Sequence, residues 1–342
     1  MSKCLLPGES GALSHGDLMS YDIIGDIHGH ARTLEALLRK LGYSPDAGCW
    51  RHPERKVIFL GDFIDRGPHQ RATLEIVRPM VENSAALSVM GNHEFNAIAF
   101  ATESGHGDHL RPRNKKNCGQ HAAFLAEYPI DSEDYKDMIA WFATLPLWLD
   151  LEELRIVHAC WDRQLMDRIS EGFAGARLTP ALLRQSSTRG RWEYDAVETL
   201  LKGKEIPMPD GHHFLDQYGT KRHDIRIRWW SRTERTYRGI YLGPPDWAAQ
   251  IPDDEIEGDH AIDYDHREPP VFLGHYWLSG EPKRLETNVA CLDYSVARMP
   301  KEGREHESKG KLVAYRWNGE QVLSNDAFVA VERVESEKGP TG

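Results

Sequence analysis

Short β-favouring runs alternate with amphipathic stretches along the first half of the chain. Three such runs each stop at a glycine followed by Asp or Asn, and they lie at 21–24, 57–60 and 86–90. The run at 57–60 is apolar throughout, which is typical of a strand buried on both faces of a sheet. Leucines at the i, i+3, i+4 and i+7 spacing between 34 and 41 predict a helix that ends at Gly42. This alternation predicts an α/β fold.

Helix and strand patterns continue along the rest of the chain. Helices are predicted near 118–128 and 132–144. A hairpin follows, with strands at 147–151 and 154–157. Further strands are predicted towards the C-terminus, at 271–275, 288–293, 311–317 and 321–324.

The middle of the chain has a different composition. The stretch 161–270 is richer in Pro, Gly and charge, with a predicted helix near 193–202 and a strand candidate at 225–230. We interpret this stretch as a cap-like insertion, because the sheet patterns resume behind it. The predicted organisation is therefore a single domain at 19–330, an N-terminal extension at 1–18 and a frayed tail at 331–342.

Composition restricts the class of protein further. The 342 residues include 42 Lys and Arg against 53 Asp and Glu, a formal net charge of −11. This acidity argues against a nucleic-acid coat, because binding to the phosphate backbone needs a basic face. No apolar run reaches the roughly 20 residues that span a bilayer, and no signal-peptide pattern is present. Five cysteines without a Cys-x-x-Cys spacing argue against a disulfide framework. We expect a cytoplasmic protein with no membrane partner and no stable nucleic-acid partner.

Three strand ends carry side chains that could bind metal ions. The motifs are Gly-Asp-Ile-His-Gly at 25–29, Gly-Asp-Phe-Ile-Asp-Arg-Gly at 61–67 and Gly-Asn-His-Glu at 91–94. His158 and His275 also follow apolar runs. Ligand sites in α/β sheets gather at the carboxyl ends of strands, so these side chains should meet at one place. Carboxylate and imidazole ligands suit Mn²⁺, Fe or Zn²⁺. Their number predicts two metals roughly 3.5–4 Å apart, bridged by one carboxylate.

These residues resemble the calcineurin-like metallophosphoesterases, and specifically the phosphoprotein-phosphatase branch with its bacterial diadenosine-tetraphosphatase relatives. The distinguishing piece is Asp-Arg-Gly at 65–67, which broader members of the superfamily do not keep. The resemblance runs from about residue 20 to 160 and resumes at 271. It implies a two-sheet β-sandwich flanked by helices, with the metals at one edge.

The resemblance also implies a role for each motif residue. It implies six metal ligands: Asp26 and His28 on the first metal, Asn92, His158 and His275 on the second, and Asp62 bridging both. Arg66 would grip the phosphate together with Asn92, and His93, oriented by Asp65, would protonate the leaving group. Metal-bound hydroxide would attack phosphorus directly. Two divalent metals are expected, with Mn²⁺ as the leading candidate and Fe or Zn²⁺ as alternatives. Because both halves supply ligands, residues 1–160 should not be stable alone.

Residues outside the motifs give further expectations. The family supplies a further phosphate-binding arginine from this region, and Arg228 is the candidate for it. If 225–230 is a strand, the side chains of Arg226 and Arg228 lie on the same face of that strand. The alternative is a solvated strand face over a tryptophan core. Tyr294 is a candidate for contacting substrate, because its surroundings resemble a loop bordering the family's metal cleft.

Cys160 stands where the family usually has glycine. We interpret it as a buried thiol, the alternative being an oxidisable residue. The other histidines are expected at the surface, including His106, His109, His212 and His213.

The leading functional interpretation is a dinuclear metal-dependent phosphoesterase that hydrolyses phosphate monoesters, of the phosphoprotein (Ser/Thr) phosphatase type. The partner would be a phosphorylated protein or a small phosphoester. The main alternative is symmetrical hydrolysis of dinucleoside polyphosphates such as diadenosine tetraphosphate. A non-catalytic phosphate-binding scaffold is opposed by the complete set of ligands together with His93 and Arg66. A nuclease is opposed by the Asp-Arg-Gly motif and the acidic net charge.

Overall fold

A computed structural model describes residues 20–105, 107–215, 221–231, 233–243, 245–256, 262, 264–298 and 310–334. The predicted extension at 1–18 and His106 lie outside these residues. The strands are β1 Ser20–Ile24, β2 Ser44–Asp46, β3 Cys49–Arg51, β4 Arg55–Phe59, β5 Ala86–Ser88, β6 Trp148–Asp150, β7 Arg155–Val157, β8 Glu205–Pro207, β9 Phe214–Leu215, β10 Lys221–Arg222, β11 Asp224–Arg226, β12 Val271–Leu273, β13 Val289–Cys291, β14 Asp293–Tyr294, β15 Lys311–Trp317 and β16 Phe328–Glu332. The helices are α1 Ala31–Leu41, α2 Gln70–Glu82, α3 Asn92–Ala101, α4 Lys115–Gln120, α5 Ala122–Glu127, α6 Glu133–Phe142, α7 Arg163–Phe173, α8 Pro180–Ser186, α9 Trp192–Lys202, α10 Tyr237–Ile240 and α11 Pro245–Ala248, with a 3₁₀ helix at Asn325–Ala327.

Two sheets carry the predicted strands. The larger has the order β14-β15-β1-β4-β5, and β16 also pairs with β15. In this sheet β1, β4 and β5 run parallel, and β15 pairs antiparallel with β1. The smaller sheet has the order β13-β12-β7-β6, in which β12 runs parallel to both β13 and β7. The predicted hairpin is confirmed, because β6 and β7 pair antiparallel.

The two sheets pack face to face. Ile23 and Ile58 of the larger sheet lie in one buried cluster with Ile156 and Phe272 of the smaller sheet. The next residue along β4, Phe59, points the opposite way and packs in a second cluster with leucines of α1 and α2. This alternation follows from the two-residue period of a strand, which gives each sheet two buried faces. The predicted α/β sandwich of two sheets with helices outside is therefore confirmed.

The predicted end of α1 is also confirmed. Gly42 caps the helix with a φ of 95°, a left-handed conformation that costs glycine little. Its backbone N–H donates to the carbonyl of Arg39 at 3.1 Å. The chain then turns into the strand pair of β2 and β3.

The predicted strand at 225–230 is wrong beyond Arg226. The N–H of Trp229 donates to the carbonyl of Ile227 at 3.0 Å, so the chain turns there. Trp229 and Trp230 are both buried, whereas a strand would point them to opposite faces. The two rings contact each other edge to face, with centroids 5.4 Å apart, which adjacent side chains of a strand could not do because they point to opposite faces.

Three further predictions near helix and strand ends differ from the structure. The helix predicted at 118–128 is two helices, α4 and α5, that meet at His121. The strand predicted at 321–324 is absent from the described residues, and Val322 there is 61% exposed. The unpredicted strand β16 runs to Glu332, so the first two residues of the predicted frayed tail are in a sheet. Residues 335–342 lie outside the described part of the chain.

Among the helices that the structure describes, none combines the length and the apolar character needed to cross a membrane.

Candidate metal centre

The predicted motif loops meet at one end of the two sheets. The backbone N–H of His28 donates to the carbonyl of Asp62 at 2.9 Å, which joins the loop after β1 to the loop after β4. The carboxylate of Glu94 in α3 accepts three backbone N–H groups of the neighbouring loops, at 2.8 to 3.0 Å. In the smaller sheet, the N–H of Gly274 donates to the carbonyl of His158 at 2.8 Å. These bonds fix the loops that carry the candidate ligands.

Two groups of side chains could each hold a metal ion. One is His28, Asp62 and His93, and the other is Asp62, His158 and His275; within each group the ligand atoms all lie within 4.8 Å of one another. Oδ2 of Asp62 lies 3.6 Å from Nε2 of His28 and 3.4 Å from Nε2 of His158. Asp62 belongs to both groups, which is the arrangement expected of a bridging carboxylate.

The ring nitrogens that face Asp62 are available for ligation. Nε2 of His28 and Nε2 of His158 are buried and have no hydrogen-bond partner among the described residues, and the same holds for Oδ1 of Asn92. The opposite ring nitrogens are satisfied: Nδ1 of His28 bonds the carbonyl of Ile64 at 2.9 Å, and Nδ1 of His158 bonds that of Leu60 at 2.7 Å. Metal-binding histidines are typically oriented by such a bond. These residues therefore fit a metal centre.

Asp26 and His275 complete the set of predicted ligands. The carboxylate of Asp26 is buried and accepts the backbone N–H of His275 at 3.1 Å. Both ring nitrogens of His275 are buried and have no hydrogen-bond partner in the described part of the chain. The first candidate metal group contains His93, whereas the sequence predicts Asp26 as the ligand beside His28 and Asp62. All six predicted ligands nevertheless follow the ends of strands of the two sheets, with Asn92 as the first residue of α3.

The charges at this site are arranged as a cation would require. Burial lowers the pKa of His158, but the neighbouring carboxylates of Asp62 and Asp26 outweigh it and raise that pKa to about 10. Burial raises the pKa of Asp26 well above its usual value, and the nearby carboxylate of Asp293 adds to this. Several carboxylates thus share a small buried space, which is favourable when a cation is bound between them.

His93 lies beside the shared carboxylate and is bonded to Asp65. Nδ1 of His93 lies 2.5 Å from Oδ2 of Asp65, and Nε2 lies 4.0 Å from Oδ2 of Asp62. Burial lowers the pKa of His93, but the carboxylates of Asp62 and Asp65 outweigh it, and the net shift is upward. The predicted pairing of His93 with Asp65 is present in the structure. Asp65 also bonds His121, which belongs to none of the sequence motifs.

Arg66 lies at the edge of the site with its side chain exposed. Its guanidinium carbon is 4.1 Å from the centre of the Trp277 ring, so the planar group stacks on the indole. The indole leaves the in-plane N–H donors of Arg66 free for an anion, since stacking uses only the face of the guanidinium.

The cap arginine predicted to grip phosphate has a different environment from the one expected. Nη2 of Arg228 donates to the carbonyl of Gly239 at 2.7 Å. Arg226 bonds Glu205 at 3.1 Å, and its charge contributes, after burial, to lowering the pKa of His275. Arg228 is therefore held by a backbone carbonyl, and of these two arginines it is Arg226 whose charge acts on the pKa of the candidate ligand His275.

Tyr294 and Cys160 are both buried. The hydroxyl of Tyr294 accepts a hydrogen bond from the backbone N–H of Lys283 at 3.0 Å. Among the described residues, no contact connects this hydroxyl to the candidate metal ligands. Cys160 has no exposed surface, and burial, followed by the charge of Asp162, raises the pKa of its thiol well above the usual value. These observations agree with the interpretation of Cys160 as a buried thiol.

The expectation that the remaining histidines lie at the surface holds only in part. His212 and His213 are exposed, and His109 is half-buried. The expectation is wrong for His30 and His121, which are 2% and 5% exposed. His121 ends a helix and follows no strand, so the strand-end pattern that identified the other site histidines could not find it.

Several residues of the site have left-handed backbone conformations, which side chains other than glycine rarely adopt. Their φ angles lie between 47° and 70°, and they are His28, Asp62, Asp65, Arg66, His275 and Trp277. Such conformations each cost on the order of 1–3 kcal/mol and gather at functional sites.

Comparisons with known proteins agree with the motifs. A family model described as calcineurin-like phosphoesterase matches residues 19–280, a range that includes every predicted metal ligand. The asymmetrical bis(5'-nucleosyl)-tetraphosphatase PrpE of Geobacillus sp. (strain WCH70) is 49% identical over 76 residues, or 22% of this chain and 31% of that protein. The chain thus spans less than a third of that relative's length.

Two solved structures resemble the chain over most of its length. The cold-active protein-tyrosine phosphatase of a Shewanella species aligns with a TM-score of 0.47 and 16% identity, over 92% of this chain and 80% of that chain. A Saccharomyces cerevisiae protein serine/threonine phosphatase, described as similar to human phosphatase PP5, aligns with a TM-score of 0.44 and 15% identity, over 94% and 82%.

Proposed function

Because the chain belongs to the calcineurin-like phosphoesterase family, we propose that it hydrolyses phosphate esters with the help of two divalent cations. The proposed substrates are phosphate monoesters, as for a phosphoprotein (Ser/Thr) phosphatase. One observation carries this proposal: Asp62 lies within 3.6 Å of His28 and within 3.4 Å of His158, at the junction of two candidate metal groups.

The proposed ligands are the six residues that the sequence motifs predict, four of which belong to the two candidate metal groups. The six are Asp26, His28, Asp62, Asn92, His158 and His275, with Mn²⁺ as the leading metal and Fe or Zn²⁺ as alternatives. When bound, the cations would supply the Lewis acidity that activates water and offsets charge on the phosphoryl group. His28 and His158 must be neutral to act as ligands, so a bound cation would displace the proton that the carboxylates of Asp62 and Asp26 favour on His158. The bonds from the Nδ1 atoms of both rings to backbone carbonyls turn Nε2 towards Asp62.

Two side chains would act directly on the substrate. Arg66 would bind the phosphoryl oxygens through its guanidinium fork, oriented by the ring of Trp277 at 4.1 Å. His93 would give a proton to the leaving oxygen from Nε2, because Nδ1 is engaged by Asp65 at 2.5 Å. The raised pKa of His93 favours the protonated form that this step requires.

A second candidate substrate class is the dinucleoside polyphosphates. The observation that favours it is the identity of 49% over 76 residues with a protein named as an asymmetrical bis(5'-nucleosyl)-tetraphosphatase. The alternative inferred from the sequence is the symmetrical reaction. Analysis of the products from diadenosine tetraphosphate distinguishes the two: symmetrical cleavage gives two molecules of ADP, whereas asymmetrical cleavage gives AMP and ATP.

Metal dependence tests the proposed function. Protein stripped with a chelator should not hydrolyse 4-nitrophenyl phosphate, and added Mn²⁺ should restore hydrolysis, because the ligand atoms around Asp62 are otherwise without a cation. Parallel assays with a phosphoserine peptide and with diadenosine tetraphosphate would identify the preferred class. Equal turnover with and without metal would contradict the proposal. Binding of the phosphopeptide without turnover in any divalent metal would instead support a scaffold, and nicking of plasmid DNA would support a nuclease.

A further inference from the structure

A second histidine bonds the carboxylate that holds His93. Nδ1 of His121 lies 2.8 Å from Oδ1 of Asp65, while Nδ1 of His93 lies 2.5 Å from Oδ2 of the same side chain. His121 comes from the junction between α4 and α5, 56 residues further along the chain. The carboxylate of Asp65, itself 3% exposed, is therefore held between two imidazole rings.

The ring of His121 is itself fixed by packing. Its centroid lies 4.9 Å from that of Phe124 in a stacked arrangement and 5.3 Å from that of Phe100 in an edge contact. Its Nε2 is buried and has no hydrogen-bond partner among the described residues, so the ring proton belongs on Nδ1, where Asp65 accepts it. His121 thus donates to Asp65 from a ring held in one orientation.

The rest of the Asp65 environment fixes its backbone but not its carboxylate. The backbone of Asp65 has a φ of 68°, and its N–H donates to Oε1 of Gln70 at 2.7 Å. Burial alone would raise the pKa of Asp65, but the bonds from His121 and His93 outweigh it and hold the carboxyl below its usual pKa. Without His121, Oδ1 would lose a donor in a buried place, and the carboxylate could rotate away from His93.

The geometry points to His121 as a positioning residue for the proton donor. His121 holds Asp65 so that the bond from Asp65 to Nδ1 of His93 directs Nε2 towards the leaving oxygen. This role rests on the proposed function. As the bond between phosphorus and the leaving oxygen breaks, the imidazolium of His93 gives its Nε2 proton to that oxygen and becomes neutral. His121 neither gains nor loses a proton in this step.

The test compares leaving groups that differ in their need for a proton. His121→Leu removes the donor and keeps the bulk, whereas His121→Asn keeps an N–H close to the Nδ1 position. On phenyl phosphate, with a basic leaving group, His121→Leu should lower kcat roughly 10–100-fold, by analogy with the cost of losing a partner that orients a metal-binding histidine. On 2,4-dinitrophenyl phosphate, whose leaving group needs no proton, the loss should stay within about threefold. His121→Asn should recover part of the loss on phenyl phosphate.

A double variant shows whether His121 acts through His93. In a His93→Asn background, His121→Leu should cause no further loss of kcat, because the group it positions is already absent. Phe142→Leu is the packing control: this buried ring packs on Phe124 and has no ring contact with His121 among the described residues, so the variant should lose thermal stability without the dependence on leaving group.

The outcomes separate this role from the proposed function. If the metal-loaded wild-type protein hydrolyses neither aryl phosphate, the proposed function falls and the role of His121 falls with it. If the wild type is active but His121→Leu slows both substrates equally, the role of His121 alone is overturned. A loss that multiplies that of His93→Asn would overturn it as well. If His121→Leu does not fold, the comparison of His121→Asn with Phe142→Leu on both substrates decides by the same criterion.

Discussion

The two nitrogens of His93 have different surroundings, and this difference suits a proton donor. Nδ1 is bonded to Asp65, whereas Nε2 faces Oδ2 of Asp62 across 4.0 Å, too far for a hydrogen bond. The Nε2 end of the ring therefore lies beside the candidate metal groups, where the proposed reaction would take place, and the other end is anchored by Asp65.

Replacing this ring should affect the reaction more than the metal content. In His93→Asn we expect both cations to remain, because His93 is not among the proposed ligands. We expect kcat to fall roughly 10²–10⁴-fold, the usual contribution of a positioned proton donor. Metal analysis together with steady-state kinetics checks both points. Loss of one metal in the variant would show that His93 is a ligand, as its place beside His28 and Asp62 also allows.

The cysteines of the folded protein should differ widely in reactivity. The pKa of Cys160 is raised by burial, so its thiolate fraction at neutral pH is small and grows only as the pH approaches that raised pKa. Cys118 is half-buried, so iodoacetamide should modify it before Cys160, Cys49 and Cys291, which are buried. Mass spectrometry after timed labelling measures this order, and labelling in denaturant provides the control. Modification of Cys160 as fast as Cys118 would indicate a reactive thiol beside the metals.

At the scale of whole elements, the ends of the strands need glycine so that loops of the two sheets can approach. A β-carbon added at Gly274, directly after β12, would lie 2.1 Å from Oδ1 of Asp26. The nearest obstacle is the end of a side chain and not backbone, so the carboxylate would be displaced while the strand keeps its place. The absence of a side chain at Gly274, after a strand of the smaller sheet, thus leaves room for the carboxylate of Asp26, which follows a strand of the larger sheet.

Gly274→Ala should therefore weaken metal binding while leaving the fold intact. The apparent Kd for Mn²⁺ should rise roughly 10–100-fold, because a proposed ligand is moved. Calorimetric titration with Mn²⁺ and thermal unfolding measure the two effects. Gly172→Ala is the matched control: this glycine is in α7 with open space around it, and alanine there should stabilise the protein by about 0.5–1 kcal/mol. Unchanged Mn²⁺ affinity in Gly274→Ala would contradict a role for Asp26 as ligand.

The sequence predicts the central elements because their signals are local. The apolar run at 57–60 and the leucine spacing before Gly42 identify β4 and α1 without reference to the rest of the chain. The motifs after the strands likewise identify most residues of the candidate site, because each follows a strand whose end is visible in the sequence.

Other features depend on contacts between distant residues and are not visible locally. His121 lies within a continuous helical pattern, and only its bond to Asp65 distinguishes it. The turn at Trp229 brings two adjacent indoles into contact with each other, which no alternation of apolar and polar residues indicates. β16 is a different case: residues 328–331 are apolar enough to suggest a strand, and the sequence prediction nevertheless lacks it.

At the scale of the whole molecule, the two ends of the chain share one sheet. β1 lies between β4, which follows it closely, and β15, which comes from the C-terminal part. In the smaller sheet, β7 pairs with β12 across more than a hundred residues of intervening chain. Strands from the first half of the chain thus have partners in the second half in both sheets.

A fragment of residues 1–160 should accordingly fail to fold. It would leave β1 and β7 without β15 and β12, and the apolar residues between the sheets, such as Ile23 and Ile156, would lose their cover. Circular dichroism and limited proteolysis should show no cooperative unfolding and rapid digestion, whereas the full chain resists under the same conditions. A cooperative thermal transition in the fragment would show that the first half is an independent unit.

The left-handed residues of the site carry a consequence for how the protein could be improved. Glycine or asparagine would adopt these backbone angles at lower cost than His28 or His275 does. A screen of variants for thermal stability alone would select such substitutions. The selected variants would unfold at higher temperature and lose catalytic activity, because the replaced side chains belong to the candidate site. Heat tolerance and turnover therefore compete at the same few positions, and a thermostable catalyst must gain its resistance elsewhere in the sandwich.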